Sequence, residues 1–374
     1  MNQETSTSSD LPVAVIRTTD RAQFRNCRRK WFWGSHMREG LEPLSYPLPF
    51  WFGTGIHFAL EDFHGYRKFD RASEAWLAYV AAQESNLLKD AHEEEIADHI
   101  NMGVAMMDYY QDHWLKNRSP LETLWIDGVP QVEVNITAPI DIDLKKLGLD
   151  HLYSGVVYSA TLDRVVQDKY GNIWALDYKT AKTMRTTHLE NDPQAAAYSW
   201  IAHKHYGKPI QGLIYWQFLK CIPKIKMLNN GQPSTNKNFR ASHSLFREAC
   251  LEAFGDPANF SSSCIDHLHH LALQEDEDGD AFIRRNYIYR NETQHEAEGT
   301  KVLLELEEML NPSTPLYPNP GFMCGMCSFF DPCTSLDSGH SWQEQIDMGF
   351  TKRISPTEEQ QLKDNWRSKI NDTK

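Results

Sequence analysis

Asp177 and Lys179 stand two apart in the run Ala175-Leu176-Asp177-Tyr178-Lys179-Thr180. Along a β-strand, alternate side chains share a face. The two charged groups therefore point one way, and Leu176 and Tyr178 point into a core. Asp163 falls on the preceding strand, and the turn Lys169-Tyr170-Gly171-Asn172 joins the two strands into a hairpin that brings Asp163 close to Asp177. Carboxylate oxygens are hard ligands that suit Mg or Mn. An ion held there polarises a phosphoryl oxygen and lowers the pKa of a bound water. A lysine alongside orients that water or offsets charge in the transition state. This chemistry is metal-dependent attack on a phosphodiester. A solvated surface hairpin explains the D-x-K spacing equally well, so the rest of the chain has to carry the case.

His57 and Glu61 are four apart on an expected helix capped by Thr54, and so share a face. His57 offers an imidazole ligand, or else packs as a structural histidine. Gln194 and Tyr198 share a face on the helix that Asp192 caps and Pro193 opens. A glutamine there can bond a phosphate and a tyrosine can stack on a base. Cys324-Gly325-Met326-Cys327 is followed by Cys333, and the best fourth ligand is Cys27, which would join the two ends of the chain. Four thiolates suit an iron–sulfur cluster or a structural zinc. The lone C-x2-C pair leans towards iron–sulfur, with zinc as the alternative. Cys221, Cys250 and Cys264 lack ligand spacing and read as buried or neutral.

The elements that must position these groups follow from the pattern. Thr19-Asp20 opens a helix over Arg21–Trp33. Its Arg28-Arg29-Lys30 run, with Trp31 and Trp33, could track a nucleic-acid strand by charge and stacking, or snorkel over an aromatic core. Residues 43–53 read as a Pro/aromatic loop, and 71–118 as two helices. Val132, Val134 and Ile136 alternate with polar residues as a strand. The hairpin of Val156–Val166 and Ile173–Lys179 follows, then the helix from Pro193 and a strand over Leu213–Leu219. A strand at Ile283–Tyr289 and an acidic helix over 294–310 come later. The order predicts an α/β fold, a mixed central sheet flanked by helices, with helical additions and a C-terminal Cys-rich segment. By this reading 1–13 is a disordered tail and 14–335 one domain. That domain has a helical insertion at 65–125 and a variable segment at 221–300, and a polar tail runs from 336 to 374.

The 374 residues are 41% apolar and 24% charged, the balance of a soluble globular chain. No apolar run approaches the roughly 18 residues that span a bilayer. The Ser/Thr-rich start lacks a signal-peptide core, so a cytoplasmic location is expected. Seven cysteines in such a setting are not a disulfide framework. The net charge of −13 is unlike that of most nucleic-acid binders, although a phosphate track needs only local cations.

Taken together, these residues resemble the RecB-like branch of the PD-(D/E)XK nuclease superfamily, in particular its iron–sulfur members: the AddB nuclease domain and the CRISPR-associated iron–sulfur exonucleases, phage versions included. The resemblance covers about residues 20–335. It rests on Gly53-Thr54-Gly55-Ile56-His57 with Glu61, Leu162-Asp163-Arg164-Val165, Asp177-Tyr178-Lys179-Thr180, Gln194 with Tyr198, and Cys27 with Cys324, Cys327 and Cys333. It implies a restriction-endonuclease-like core. His57, Asp163, Asp177 and the carbonyl of Tyr178 would hold Mg or Mn, and Lys179 would be the catalytic lysine. Gln194 and Tyr198 would contact DNA, and the four cysteines would carry a 4Fe-4S cluster. The implied function is a metal-dependent DNA exonuclease acting on single strands or ends, in recombination, repair or phage DNA processing. Its partners would be DNA and recombination, replication or CRISPR-adaptation proteins, without a membrane; its oligomeric state is open. The alternatives are a non-catalytic DNA-binding or assembly subunit with a structural metal centre, and an iron–sulfur redox protein.

Overall fold

The computed structural model describes residues 11–45, 47–82, 91–184, 186–354 and 361. The chain opens with β1 (Val13–Arg17), which leads into α1 (Thr18–Asn26) and α2 (Arg28–Gly34). The tail expected over 1–13 therefore ends inside a strand, and its first ten residues lie outside the described residues. The single helix expected over Arg21–Trp33 is broken at Cys27, whose extended backbone (φ −163°, ψ 114°) ends one helix and begins the next.

After β2 (Leu41–Pro43) comes α3 (Leu48–Glu61). This corrects the loop read over 43–53 and the cap assigned to Thr54. Pro49 sits in the first helical turn, where its missing N–H costs nothing. Thr54 lies mid-helix, its hydroxyl donating to the Phe50 carbonyl at 3.0 Å. Two helices, α4 (Ala72–Ala81) and α5 (Glu93–Tyr109), pack on α3. Trp76 of α4 is the wedge between them. A Cβ on Gly55 of α3 or Gly103 of α5 would lie 2.2 or 2.3 Å from its ring. Glycine at both positions is what lets the three helices close.

Short strands follow: β3 (Glu122–Thr123), β4 (Trp125–Ile126) and β5 (Val129–Pro130), the last two joined by Asp127-Gly128 with both φ positive, a favoured hairpin turn. Next come β6 (Val132–Ile140), β7 (Gly155–Gln167), β8 (Ile173–Ala181), α6 (Pro193–Tyr206) and β9 (Ile210–Leu219). The segment least legible in the sequence holds α7 (His243–Phe254), α8 (Ser262–Gln274) and β10 (Ile283–Tyr289). Cys250 and Cys264 are buried in the small core between α7 and α8, as expected. The acidic helix is α9 (Glu292–Leu310).

β7 organises the sheet. One of its edges pairs antiparallel with β6 and β3. Its other edge is shared: β1 runs parallel along Gly155–Ser159, and β8 runs antiparallel along Arg164–Gln167. The order continues β8-β9-β10, with β8 and β9 parallel. Side chains alternate between two cores. Ala175 and Tyr215 face a core that includes Phe24 of α1, Ala195 and Tyr198 of α6 and Leu306 of α9. Leu176, Tyr178 and Trp216 face one that includes Ile56 of α3, Trp76 of α4 and Met107 of α5. The expected mixed sheet flanked by helices is the fold found.

The segment expected to be a polar tail is partly ordered. α10 (Phe330–Asp337) leads to α11 (Gln343–Gly349) and β11 (Phe350–Lys352), and β11 pairs antiparallel with β2. Phe350 stacks on Phe329 with ring centroids 4.7 Å apart, and Ile346 is buried beside Trp33 and Leu41. These few apolar residues suffice to dock an otherwise polar stretch.

Candidate active site

The hairpin ladder between β7 and β8 stops at the Arg164–Leu176 pair. The next pair in register would be Asp163 with Asp177, but there the strands part. Asp163 Oδ2 instead accepts the Tyr178 N–H at 2.6 Å. One carboxylate thus fills the gap left by a backbone hydrogen bond. On the far edge, β6 pairs Val132 with Arg164 and Val134 with Leu162, which sets Glu133 level with Asp163. Glu133 has φ +43°, a left-handed conformation that costs a non-glycine residue about 1 kcal/mol or more. Three acidic residues, Glu133, Asp163 and Asp177, therefore stand in one row across three neighbouring strands.

His57 comes to this row from α3. Its Nδ1 lies 3.4 Å from Asp163 Oδ2 and 3.5 Å from Glu133 Oε1, and its Nε2 is 3.0 Å from the Tyr178 carbonyl. The ligand atoms of His57, Glu133 and Asp163 fall within 4.8 Å of one another, close enough for one ion. Sequence reading missed Glu133. In the alternating pattern it is a polar residue between Val132 and Val134, and its register opposite Asp163 is what sets it in the site.

Asp177 is buried with Lys179 above it. The ammonium lies 3.0 Å from Oδ1 and 2.7 Å from Oδ2. Gln194, first-turn residue of α6, donates to Oδ1 at 3.1 Å. Asp192 fixes that turn by accepting the Gln194 N–H at 2.8 Å, as its sequence position implied. Oδ2 is buried, with the Lys179 ammonium against it and no other donor in hydrogen-bond geometry among the described residues. Tyr198 is buried on the same helix face, beside Gln194 and Asp177.

The charges answer one another. Burial pushes Asp177 up to about 6 against the pull of Lys179. Asp163 is buried too, yet His57, Lys179 and the Tyr178 N–H hold it below the usual carboxylate range. Burial works against a charged His57, but Asp163 and Glu133 raise it well above an ordinary histidine. Lys179 is also raised despite burial, by Asp177 first. A buried carboxyl paired with an amine, beside a second carboxylate, is a site built for a hard cation and a phosphate.

The cysteines gather at the C-terminal end of α1, which Cys27 caps. Cys27 lies close enough to Cys333 to add to the upward push that burial gives that thiol. The Asn319 N–H donates to Cys27 Sγ at 3.5 Å, the Gly321 N–H to Cys324 Sγ at 3.4 Å, and the Arg29 guanidinium to Cys333 Sγ at 3.4 Å. Cys327 and Cys333 pack on the core formed by Trp33, Leu41, Phe329 and Ile346. The basic run is engaged here: Arg28 pairs with Glu308, and Arg29 with Asp337 at 2.6 Å; Lys30 is half-buried beside them. Trp31 and Trp33 are 1% and 2% exposed, so the expectation that they stack on a strand is corrected. The break at Cys27 turns them into core.

With this fold and site in view, the comparisons with known proteins are direct. The family model of the PD-(D/E)XK nuclease superfamily matches residues 19–334. The chain belongs to the PD-(D/E)XK nuclease superfamily, and its class is that of a nuclease. Comparison with curated proteins finds no match. Among the described residues no helix is long and apolar enough to cross a membrane.

Proposed function

We propose that the chain is a Mg- or Mn-dependent deoxyribonuclease of the RecB-like branch, acting as an exonuclease on single-stranded DNA or DNA ends. The observation that carries this reading is the row Glu133–Asp163–Asp177 across β6, β7 and β8, with Lys179 closed on Asp177. His57, Glu133, Asp163, Asp177 and the Tyr178 carbonyl are the residues that would hold the ion; buried Asp177 Oδ2, faced by the part-exposed Lys179 ammonium, is the atom the ion would share with that amine. When bound, a divalent ion supplies charge for the phosphate and a more acidic water. Lys179 is the catalytic amine: its side chain is 41% exposed, so it can turn from Asp177 towards a phosphate oxygen. Gln194 holds Asp177 in place and stands at the α6 N-terminus, where N–H groups favour an anion.

The four thiols are assigned to a 4Fe-4S cluster. The lone Cys324-x2-Cys327 pair, followed by Cys333 and joined by distant Cys27, is the pattern that favours the cluster over a structural zinc. N–H donors on Cys27 and Cys324 and a guanidinium on Cys333 suit thiolates, whichever metal they bind. Arg28 and Arg29 are assigned to holding this segment, not to DNA. Work on recombining, repaired or phage DNA fits an end-directed nuclease.

The test uses end-labelled linear DNA and a covalently closed single-stranded circle, each with Mg, Mn or chelator. The proposal expects metal-dependent loss of linear DNA with the circle intact. A cut circle would make the enzyme an endonuclease. Binding without cleavage in every lane would favour the assembly-subunit reading.

A further inference from the structure

A second group of ligating side chains lies on the far half of α6. We propose that His203, Glu292 and His295 form a site for a borderline transition ion such as Zn²⁺ or Ni²⁺, separate from the nuclease centre.

Glu292 and His295 are three apart in the first turn of α9, so they share a face, and a Glu-x-x-His pair of this kind is a proven helical metal-binding element. His203 faces them from the last turns of α6. One ligand atom from each lies within 4.8 Å of the other two. The imidazole rings are 4.9 Å apart at 33°, and His203 Nε2 is 3.9 Å from Glu292 Oε2. His295 is 4% exposed, and its Nε2 has no hydrogen-bond partner among the described residues; His203 Nδ1 is likewise without one. A buried ring nitrogen left without a partner is costly, and an ion beside it would remove that cost.

The donor set selects the ion. Two imidazoles and one carboxylate suit Zn, Ni or Cu, whereas Mg and Ca prefer oxygen throughout. Arg290 is tied to the Glu190 and Tyr289 carbonyls and does not fill the site. Glu292 is exposed, so it can swing in and leaves a position open to water. An ion here joins α6, which carries Gln194 at its other end, to α9, whose Glu298 and Glu305 grip Arg21 of α1.

The experiment loads the full-length chain with Zn²⁺, removes excess by gel filtration and counts bound zinc by elemental analysis. His203→Asn and Glu292→Ala are compared with the parent; His203 is half-buried and Glu292 exposed, so both should fold, which circular dichroism checks. Zinc at the thiols or the nuclease centre is common to all three chains. The proposal expects the parent to hold one more equivalent than either variant, to resist a large excess of Mg²⁺, and to gain more in thermal midpoint from Zn²⁺. Equal zinc in all three chains, or displacement of the extra equivalent by Mg²⁺, would overturn it.

Discussion

His57 donates through Nε2 to the Tyr178 carbonyl while its Nδ1 faces the carboxylates of Asp163 and Glu133. A carbonyl only accepts, so Nε2 carries a proton, and two carboxylates draw a second proton to Nδ1. The imidazolium supplies positive charge at the point where a metal ion would otherwise supply it.

Metal binding must therefore expel protons. His57 is raised well above its ordinary value, so at neutral pH it is protonated before the ion arrives. Titration calorimetry with Mn²⁺ in two buffers of different ionisation enthalpy should show release of about one proton near pH 7. Identical heats in both buffers would place the ion elsewhere.

Asp177 adds a lower limb to that pH dependence. Burial raises its folded value to about 6, so it gains a proton as pH falls through that point and ceases to ligate. Because folding raises this carboxyl, its ionisation costs stability above about pH 6, and a bound cation offsets that cost. The thermal shift given by Mn²⁺ should be larger near pH 8 than near pH 5. A shift independent of pH would contradict the assignment.

Lys179→Ala removes the amine that faces both Asp177 oxygens. Single-turnover cleavage should fall by about 10²–10³-fold or more, the usual cost of losing a charge-stabilising group. DNA affinity, measured with Ca²⁺ to block turnover, should change far less. Equal losses in binding and cleavage would make Lys179 a binding residue only.

Gly55→Ala tests the scaffold behind His57. Its new methyl would lie 2.2 Å from the buried Trp76 ring. Urea unfolding should show a loss of about 1–3 kcal/mol from overpacking, and α3 must shift, so activity should drop as well. An unchanged midpoint would mean that α3 and α4 separate at little cost.

Cys27→Ser tests the link between the chain ends. Iron content and brown colour should be lost, and the segment around Cys324–Cys333 should become open to limited proteolysis. Unchanged iron would exclude Cys27 as a ligand.

Much of the site was legible because its signals are local. The strand alternation around Asp177 and the Asp192-Pro193 helix start depend on neighbours in sequence, and both stand as read. What was missed depends on distant partners. β1 is five residues long and has a partner only in Gly155–Ser159, some 140 residues on. Glu133 joins the site through the register of β6 against β7, which no composition rule announces. Trp31 and Trp33 looked available for stacking, but beyond the break at Cys27 Trp31 packs into the main core with Phe24, and Trp33 into the small core that Ile346 and Phe350 help to close. The start of α3 was hidden because Pro47 and Pro49 read as loop residues, although proline suits a first helical turn.

The central claim is that a cation held by Asp163 and Asp177 is needed to cut DNA. The most direct measurement is Mn²⁺-dependent cleavage of end-labelled DNA by the parent chain and by Asp163→Asn and Asp177→Asn, with Mn²⁺ affinity measured on the same samples. The account predicts cleavage by the parent that chelator abolishes, and loss of both cleavage and Mn²⁺ binding in each variant. Cleavage that persists in either variant, or in chelator, would contradict it.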